Sequence, residues 1–186
     1  GLGDVYKRQI IIVMVATMFA WIMALLLRLQ PMDFEDLNLT PVLHLILRLI
    51  MSFFGVFGFS IMFNSPAPMA ATAALIGAIA NSLRLELVDL TGMPAPAAAF
   101  AGALTAGLLA SFIKENNGYP RISLTVPSIV IMVPGLYLYR AIYNFGIMAL
   151  SDAVSWFASA IMIIIALPLG LIFARILTDK TFRYCT

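Results

Sequence analysis

Long apolar stretches without a charged residue recur along the chain, and short polar segments separate them. The charge-free stretches are 10–27, 49–83, 90–113, 122–139 and 153–174. A helix needs about 20 apolar residues to cross the hydrocarbon core of a bilayer. The 64–68 segment, Asn-Ser-Pro-Ala-Pro, is typical of a turn and divides the longest stretch in two. The pattern predicts an all-α, polytopic transmembrane bundle of about six spans, near 10–28, 43–63, 68–84, 95–113, 123–146 and 153–176.

Composition excludes a soluble globular domain. Hydrophobic residues make up 62% of the chain, charged residues 11%, and the mean hydropathy is +1.02. A soluble domain carries roughly 25% charged residues. The net charge of +2 is too small to indicate a nucleic-acid partner. The lone cysteine, Cys185, allows no internal disulfide and indicates no metal cluster.

The chain carries no pattern typical of an enzyme. It has no His/Cys/Asp/Glu ligand set, no glycine-rich loop that would cradle a phosphate, and no nucleophile paired with a base. The sequence therefore predicts a protein that is not an enzyme and that holds no metal or cofactor. The first nine residues, GLGDVYKRQ, read as a non-native stub, which leaves 10–186 as a single transmembrane domain.

Basic residues are distributed unevenly between the two sides of a six-span bundle. One side would carry Lys7, Arg8, Lys114, Arg121, Arg175, Lys180 and Arg183, and the other would carry Arg28, Arg48, Arg84 and Arg140. Cytoplasmic loops are enriched in lysine and arginine. The distribution predicts a cytoplasmic C-terminus.

Two predicted helices carry stripes of small residues at four-residue spacing. In the 95–113 helix the stripes contain Gly102 and Gly107, and in the 68–84 helix one stripe contains Gly77. Small residues let helix backbones approach closely, and such packing drives helix association in lipid. Two interpretations follow: the stripes form the core of the bundle, or one of them docks a partner subunit.

Polar side chains inside predicted spans need partners, because the hydrocarbon core offers none. Asn81 lies within the 68–84 span, so its amide is expected to hydrogen-bond to another side chain or to the backbone. Glu86 and Asp89 follow Arg84 closely, which makes Arg84 a candidate ion-pair partner for both.

The segment 119–145 is predicted to be a helix broken near its middle. Pro127 and Pro134 are two turns apart, and Gly135 follows the second proline. Proline removes a backbone donor, and irregular backbone at membrane depth is tolerated only in a protein interior or beside an aqueous cavity. Broken helices of this kind form substrate sites in transporters. The candidate site residues are Pro134, Gly135, Tyr137, Tyr139, Arg140, Tyr143 and Asn144.

Arg140 has two interpretations. Its planar guanidinium suits bidentate binding of a substrate carboxylate. Alternatively, Arg140 extends to the membrane surface and the nearby tyrosines form an interfacial aromatic belt.

Three segments resemble the C-terminal membrane domain, or small subunit, of the threonine/serine exporter family. They are GFSIMFNSP (58–66), YPRISLTVPSIVIMVPGLYLYRAIY (119–143) and ALPLGLIFARILTD (166–179). The resemblance covers about 45–186, so five spans are similar to the family and the 10–28 span is additional. It implies a multi-pass protein of a bacterial inner membrane that acts as a secondary exporter.

The resemblance implies that the chain is a subunit or half of an exporter of threonine, serine or small carboxylates. The expected partners are the lipid bilayer, a small-molecule substrate, a second membrane domain or subunit of the same family, and further copies of this chain. The alternative is a non-transporting assembly subunit that stabilises a larger transporter through its small-residue faces. A membrane-embedded enzyme is disfavoured.

Overall fold

The computed structural model describes residues 2–29 and 39–179, of which 2 and 114–117 are described by their backbone alone. Seven helices form this part of the chain: α1 (Leu2–Leu26), α2 (Pro41–Met62), α3 (Ala67–Thr91), α4 (Ala95–Asn117), α5 (Arg121–Val130), α6 (Gly135–Gly146) and α7 (Leu150–Thr178). The described ranges contain no β-strand, which confirms the all-α prediction. Lys180, Arg183 and Cys185 lie outside the described residues.

The helices are long and apolar enough to cross a bilayer. Helices α1, α2, α3, α4 and α7 each qualify, and α5 and α6 add a sixth span if they count as one broken helix. The predicted polytopic bundle is therefore confirmed. Residues 2–9, interpreted as a non-native stub, are continuous with the helix that follows them.

Helix α3 extends beyond its predicted end at residue 84. It continues to Thr91 and ends where Gly92 adopts a left-handed conformation, with φ of 65°. Gly92 donates its backbone N–H to the Val88 carbonyl and so caps the helix. The additional turns hold charged residues that the apolar pattern excluded from the span.

The predicted break near Pro134-Gly135 separates α5 from α6. Residues 131–134 form turns, and the Gly135 N–H donates to the Val133 carbonyl at 2.8 Å. Pro134 has no N–H, so a regular helical hydrogen bond is lost at this point. A separate helix, α6, therefore begins at Gly135, in the middle of the predicted span.

The chain divides into two compact units. The larger contains Leu37–Gly135 and Ala158–Thr186, and the smaller contains Gly1–Asp36 and Leu136–Phe157. One boundary falls directly after Gly135, where the α5–α6 break ends.

Within the larger unit, small and polar residues hold α2 against α3. Asn81 donates from Nδ2 to Ser52 Oγ at 2.8 Å, so the predicted need of its amide for a partner is met. One turn along each helix, a Cβ added to Gly77 would lie 2.5 Å from Val56 Cγ2. Because this distance leaves no room for a side chain, the contact needs glycine at position 77.

Helices α4 and α7 approach each other closely in the same unit. A Cβ added to Gly170 would lie 2.6 Å from the Phe100 carbonyl oxygen and 2.9 Å from the Leu104 backbone nitrogen. A Cβ on Gly107 would lie 2.5 Å from the Ala174 Cβ. The two helices thus meet through backbone and small side chains along at least one turn.

In the smaller unit, the indole of Trp21 lies against the backbone of Gly146. A Cβ at that glycine would be 2.2 Å from Trp21 Nε1. This contact joins α1 to the end of α6. Most other apolar side chains of α1 are exposed, as is typical of a helix that faces lipid.

Candidate functional site

The α5–α6 break leaves a backbone carbonyl that a distant arginine binds. Arg84 donates from Nη1 to the Met132 carbonyl oxygen at 3.3 Å. Met132 is buried and Arg84 is half-buried. Helical side chains point toward the N-terminus of their own helix, so an arginine in the second half of α3 reaches toward mid-span. Arg84 is thus the cation held at the break in the larger unit.

Gly102 of α4 lies against both Arg84 and Met132. A Cβ there would lie 3.1 Å from the Ala80 carbonyl oxygen, and 3.2 Å from Arg84 Cβ and from Met132 Sδ. These distances are tighter than ordinary van der Waals contact. Gly102 therefore lets α4 pack against the stem of Arg84 and the residue whose carbonyl Arg84 binds.

A serine on α5 links this helix to α3. The hydroxyl of Ser128, which is fully buried, lies 2.9 Å from the Ala73 carbonyl and 2.5 Å from the Leu124 carbonyl. A hydroxyl has one hydrogen to donate, so these two acceptors share it. The bond fixes the position of α5 just before the break.

Several buried polar atoms of the larger unit have unused hydrogen-bonding capacity. Ser60 Oγ, Ser82 Oγ and Asn81 Oδ1 are buried, and none has a hydrogen-bond partner among the described residues. Buried polar atoms are paired in most proteins, so such a group in a membrane interior is unusual. Asn81 contacts Ser52 of α2, so the α2–α3 contact is more polar than its apolar sequence indicates.

The predicted site residues on α6 lie in the smaller unit, where they form two groups. In the first, the Arg140 guanidinium carbon lies 4.7 Å from the centre of the Trp156 ring. Tyr137 meets the same ring edge-on, with centroids 5.3 Å apart. A cation over an indole face is a favourable electrostatic contact, so the tryptophan orients the guanidinium.

The second group is a pair of tyrosines on the neighbouring face. The rings of Tyr139 and Tyr143 are 6.5 Å apart. Asn144 donates from Nδ2 to the Arg140 carbonyl at 2.8 Å, so its amide bonds within its own helix. Pro134 and Gly135, the remaining predicted site residues, form the break at the end of the larger unit.

The acidic residues of α3 pair with an arginine that the sequence did not single out. Arg48 on α2 contacts Glu86, with Nη1 and Oε1 2.7 Å apart, and it also bonds to Asp89. Arg84 was the expected partner because it is close in sequence. The packing of α2 against α3 brings Arg48 to these carboxylates from 38 and 41 residues away. This ion cluster joins two spans near their ends.

Two features of the site were missed from the sequence. Arg84 was considered only as an ion-pair partner, although an arginine at the edge of a charge-free stretch indicates a cation inside a span. Gly170 was not singled out because its partner helix is far away in the chain. Among the described residues, no group of acidic, histidine or cysteine side chains is arranged to hold a metal ion.

Comparison with known families gives a match that covers most of the chain. The family model described as Threonine/Serine exporter, ThrE, matches residues 48–177, which is more than half of the chain. No curated protein and no solved structure gives a significant match. The matched segment contains α5, α6 and the break between them, and it leaves out α1, which was predicted to be additional to the family. The chain therefore belongs to the threonine/serine exporter family, as its sequence segments predicted.

Proposed function

We propose that this chain is a subunit or half of a secondary exporter that moves threonine, serine or small carboxylates across a bacterial inner membrane. One observation carries the proposal. The family match includes a broken helix whose freed Met132 carbonyl is bound by the Arg84 guanidinium. A mid-span break in a helix is an arrangement that transporters use to bind small polar solutes.

The break offers backbone donors to the carboxylate of an amino acid. Helix α6 begins at Gly135, and the N–H groups that follow Gly135 in its first turn have no acceptors within the helix, so they favour a carboxylate. Two carbonyls at the break are already occupied, since Met132 accepts from Arg84 and Val133 accepts from the Gly135 N–H. The carboxylate of threonine or serine is therefore the group that the break would bind.

In this proposal Arg140 binds the substrate carboxylate. Its guanidinium is the planar fork that suits bidentate binding, and Trp156 restricts its orientation through the contact at 4.7 Å. Pro134, Tyr137, Tyr139, Tyr143 and Asn144 complete the proposed substrate path.

Exchange of Arg140 for lysine tests this assignment. We expect Arg140→Lys to lower threonine export about three- to ten-fold, because lysine keeps the charge and loses the bidentate fork. Export is measured as loss of labelled threonine from preloaded cells that co-express a larger membrane subunit of the same family. Arg28→Lys makes the same exchange in an exposed arginine at the end of α1 and should leave export unchanged.

Protein abundance in the membrane has to be matched between variants. If Arg140→Lys exports at the wild-type rate, the side chain only extends to the membrane surface, since lysine does this equally well. Export by cells that lack a larger subunit of the family would show that the chain acts without a second subunit.

The alternative is an assembly subunit that docks a partner through its small-residue stripes. In the structure, Gly77, Gly102 and Gly107 each face neighbouring atoms of this same chain. Stripes occupied in this way support packing within the bundle. The transport proposal is therefore preferred over the assembly proposal.

The proposed orientation predicts the behaviour of reporter fusions. A cytoplasmic reporter fused after Thr186 should be active, and alkaline phosphatase at the same position should be inactive. The positive-inside rule gives the reason, since basic residues are enriched at this end of the chain. Alkaline phosphatase inserted in the turn at 92–94, between α3 and α4, should be active because that turn lies on the opposite side. The reverse pattern would contradict the orientation.

A further inference from the structure

A cavity of about 360 Å³ lies in the larger unit, between the first turn of α5 and the last turn of α7. Its charged lining consists of Arg121, Arg175 and Asp179. Arg121 is the first residue of α5, and Asp179 follows the end of α7. Since both helices belong to predicted spans, their ends place the cavity at the boundary between hydrocarbon and headgroups.

The cavity contains more positive than negative charge. Arg121 donates from Nη1 to Thr178 Oγ1 at 3.2 Å and from Nη2 to the Gly107 carbonyl at 3.3 Å. Both acceptors are neutral, and no carboxylate of the described residues lies within ion-pair distance of Arg121. Arg175 lies 3.7 Å from Asp179. Among the described residues that line the cavity, two guanidinium groups face one carboxylate, and the surplus positive charge beside Arg121 favours an anion.

Most of the remaining lining of the cavity is apolar. Ile122, Leu171 and Ile172 line it together with the buried Thr125, and Ile122 and Ile172 are 69% and 44% exposed. In a bilayer, an exposed isoleucine on a span contacts hydrocarbon chains. The cavity thus combines a cationic end at the headgroup level with an apolar wall that continues toward the hydrocarbon.

We propose that this cavity binds an anionic phospholipid. The phosphate lies between Arg121 and Arg175, and an acyl chain runs along Ile122 and Ile172. Basic pockets between transmembrane helices bind such headgroups in general. A free phosphate ion or an amino-acid carboxylate has the same charge, but neither would gain from the apolar wall, and this favours the lipid.

Binding would have a structural consequence. Arg121 already contacts α4 through Gly107 and α7 through Thr178. A phosphate held by Arg121 and Arg175 would add a further connection between α5 and α7. A ligand that binds only the folded protein raises its stability, so the lipid should stabilise the larger unit.

The test titrates the purified full chain in detergent with dioleoylphosphatidylglycerol or dioleoylphosphatidylcholine, and native mass spectrometry measures the bound fraction. We expect tighter binding of phosphatidylglycerol and a rise in melting temperature. Arg121→Gln and Arg175→Gln should each weaken this binding about five-fold, which is the effect of one surface cation on an anionic lipid. Arg28→Gln removes an exposed arginine elsewhere and should bind the lipid like the wild type.

Competition separates the possible sources of the anion. Inorganic phosphate and threonine, each at 100-fold excess over the lipid, should leave phosphatidylglycerol bound. Displacement by phosphate or by threonine would replace the lipid proposal with a small-anion or substrate site. Equal binding of the two lipids, or unchanged phosphatidylglycerol binding in both arginine variants, would overturn the proposal. Because Arg121 also bonds to α4 and α7, Arg175→Gln gives the cleaner result if Arg121→Gln fails to fold.

Discussion

Gly170→Leu is expected to lower the free energy of unfolding of the detergent-solubilised protein by about 3 kcal/mol, the upper part of the usual range for overpacking. The reason is the nature of the neighbouring atoms. A Cβ at Gly170 would lie 2.6 Å from the Phe100 carbonyl oxygen and 2.9 Å from the Leu104 nitrogen, and both are backbone atoms of α4. Backbone atoms cannot rotate away as a side chain does, so α4 and α7 would have to separate. Thermal or denaturant unfolding followed by circular dichroism measures the loss.

Gly58→Leu is the matched control for this experiment. No heavy atom of the described residues lies within 4 Å of a Cβ at Gly58, beyond its own helix and chain neighbours. Leucine also has a higher helix propensity than glycine, so this variant should be as stable as the wild type. Gly170→Ala adds only the Cβ and should fall between the two. A melting temperature of Gly170→Leu equal to that of Gly58→Leu would show that the α4–α7 contact is looser than described.

Arg84→Gln should reduce export about 10- to 100-fold, since a hydrogen bond from a charged group contributes roughly 1.5–3 kcal/mol. Arg84 holds the Met132 carbonyl at the break through a bond of 3.3 Å. Glutamine is shorter and uncharged, so the freed carbonyl loses its donor and the break loses the cation that holds it. Threonine export from preloaded cells, at matched abundance, is the measurement.

Two further variants assign the cause. Arg84→Lys keeps the charge and loses part of the reach, so export should recover partly if the charge itself contributes. Arg28→Gln removes an arginine from an exposed position in the turn after α1 and should export normally. Wild-type export by Arg84→Gln would remove Arg84 from the transport mechanism. This variant should also melt at a lower temperature, because the Met132 carbonyl loses its donor. A lower melting temperature together with wild-type export would assign Arg84 a structural role alone.

The spans could be predicted because each depends on the local composition of the chain. The predicted spans match α2, α4 and α7 to within four residues, whereas α1 begins eight residues before its predicted start at residue 10. The position of the break could be predicted from Pro134 and Gly135, because proline interrupts its own helix through a missing N–H and a steric clash. These effects need no knowledge of the neighbouring helices.

The site was harder to predict because its contacts join distant segments. Arg84 meets the Met132 carbonyl 48 residues away, and Arg48 meets Glu86 38 residues away. The charge pattern along the chain alone favoured a local ion pair of Arg84 with Glu86 or Asp89. The same reasoning explains the early predicted end of α3: the charges at 84–89 indicate a helix end until the partner on α2 is known. Gly170 lacked a signal for the same reason, since its tight contacts belong to α4.

The ion cluster of Arg48 with Glu86 and Asp89 has a consequence for biosynthesis. A lone charged residue in a span costs free energy when the translocon releases the helix into lipid, about 2.5–3.5 kcal/mol at the centre of the span and less near its ends, where these charges lie. Helices α2 and α3 follow each other in the chain with only four residues between them, at 63–66. They can therefore leave the translocon together as a helical hairpin, with the arginine already neutralised by the two carboxylates. The ion cluster would then lower the insertion cost of both helices before the rest of the protein is synthesised.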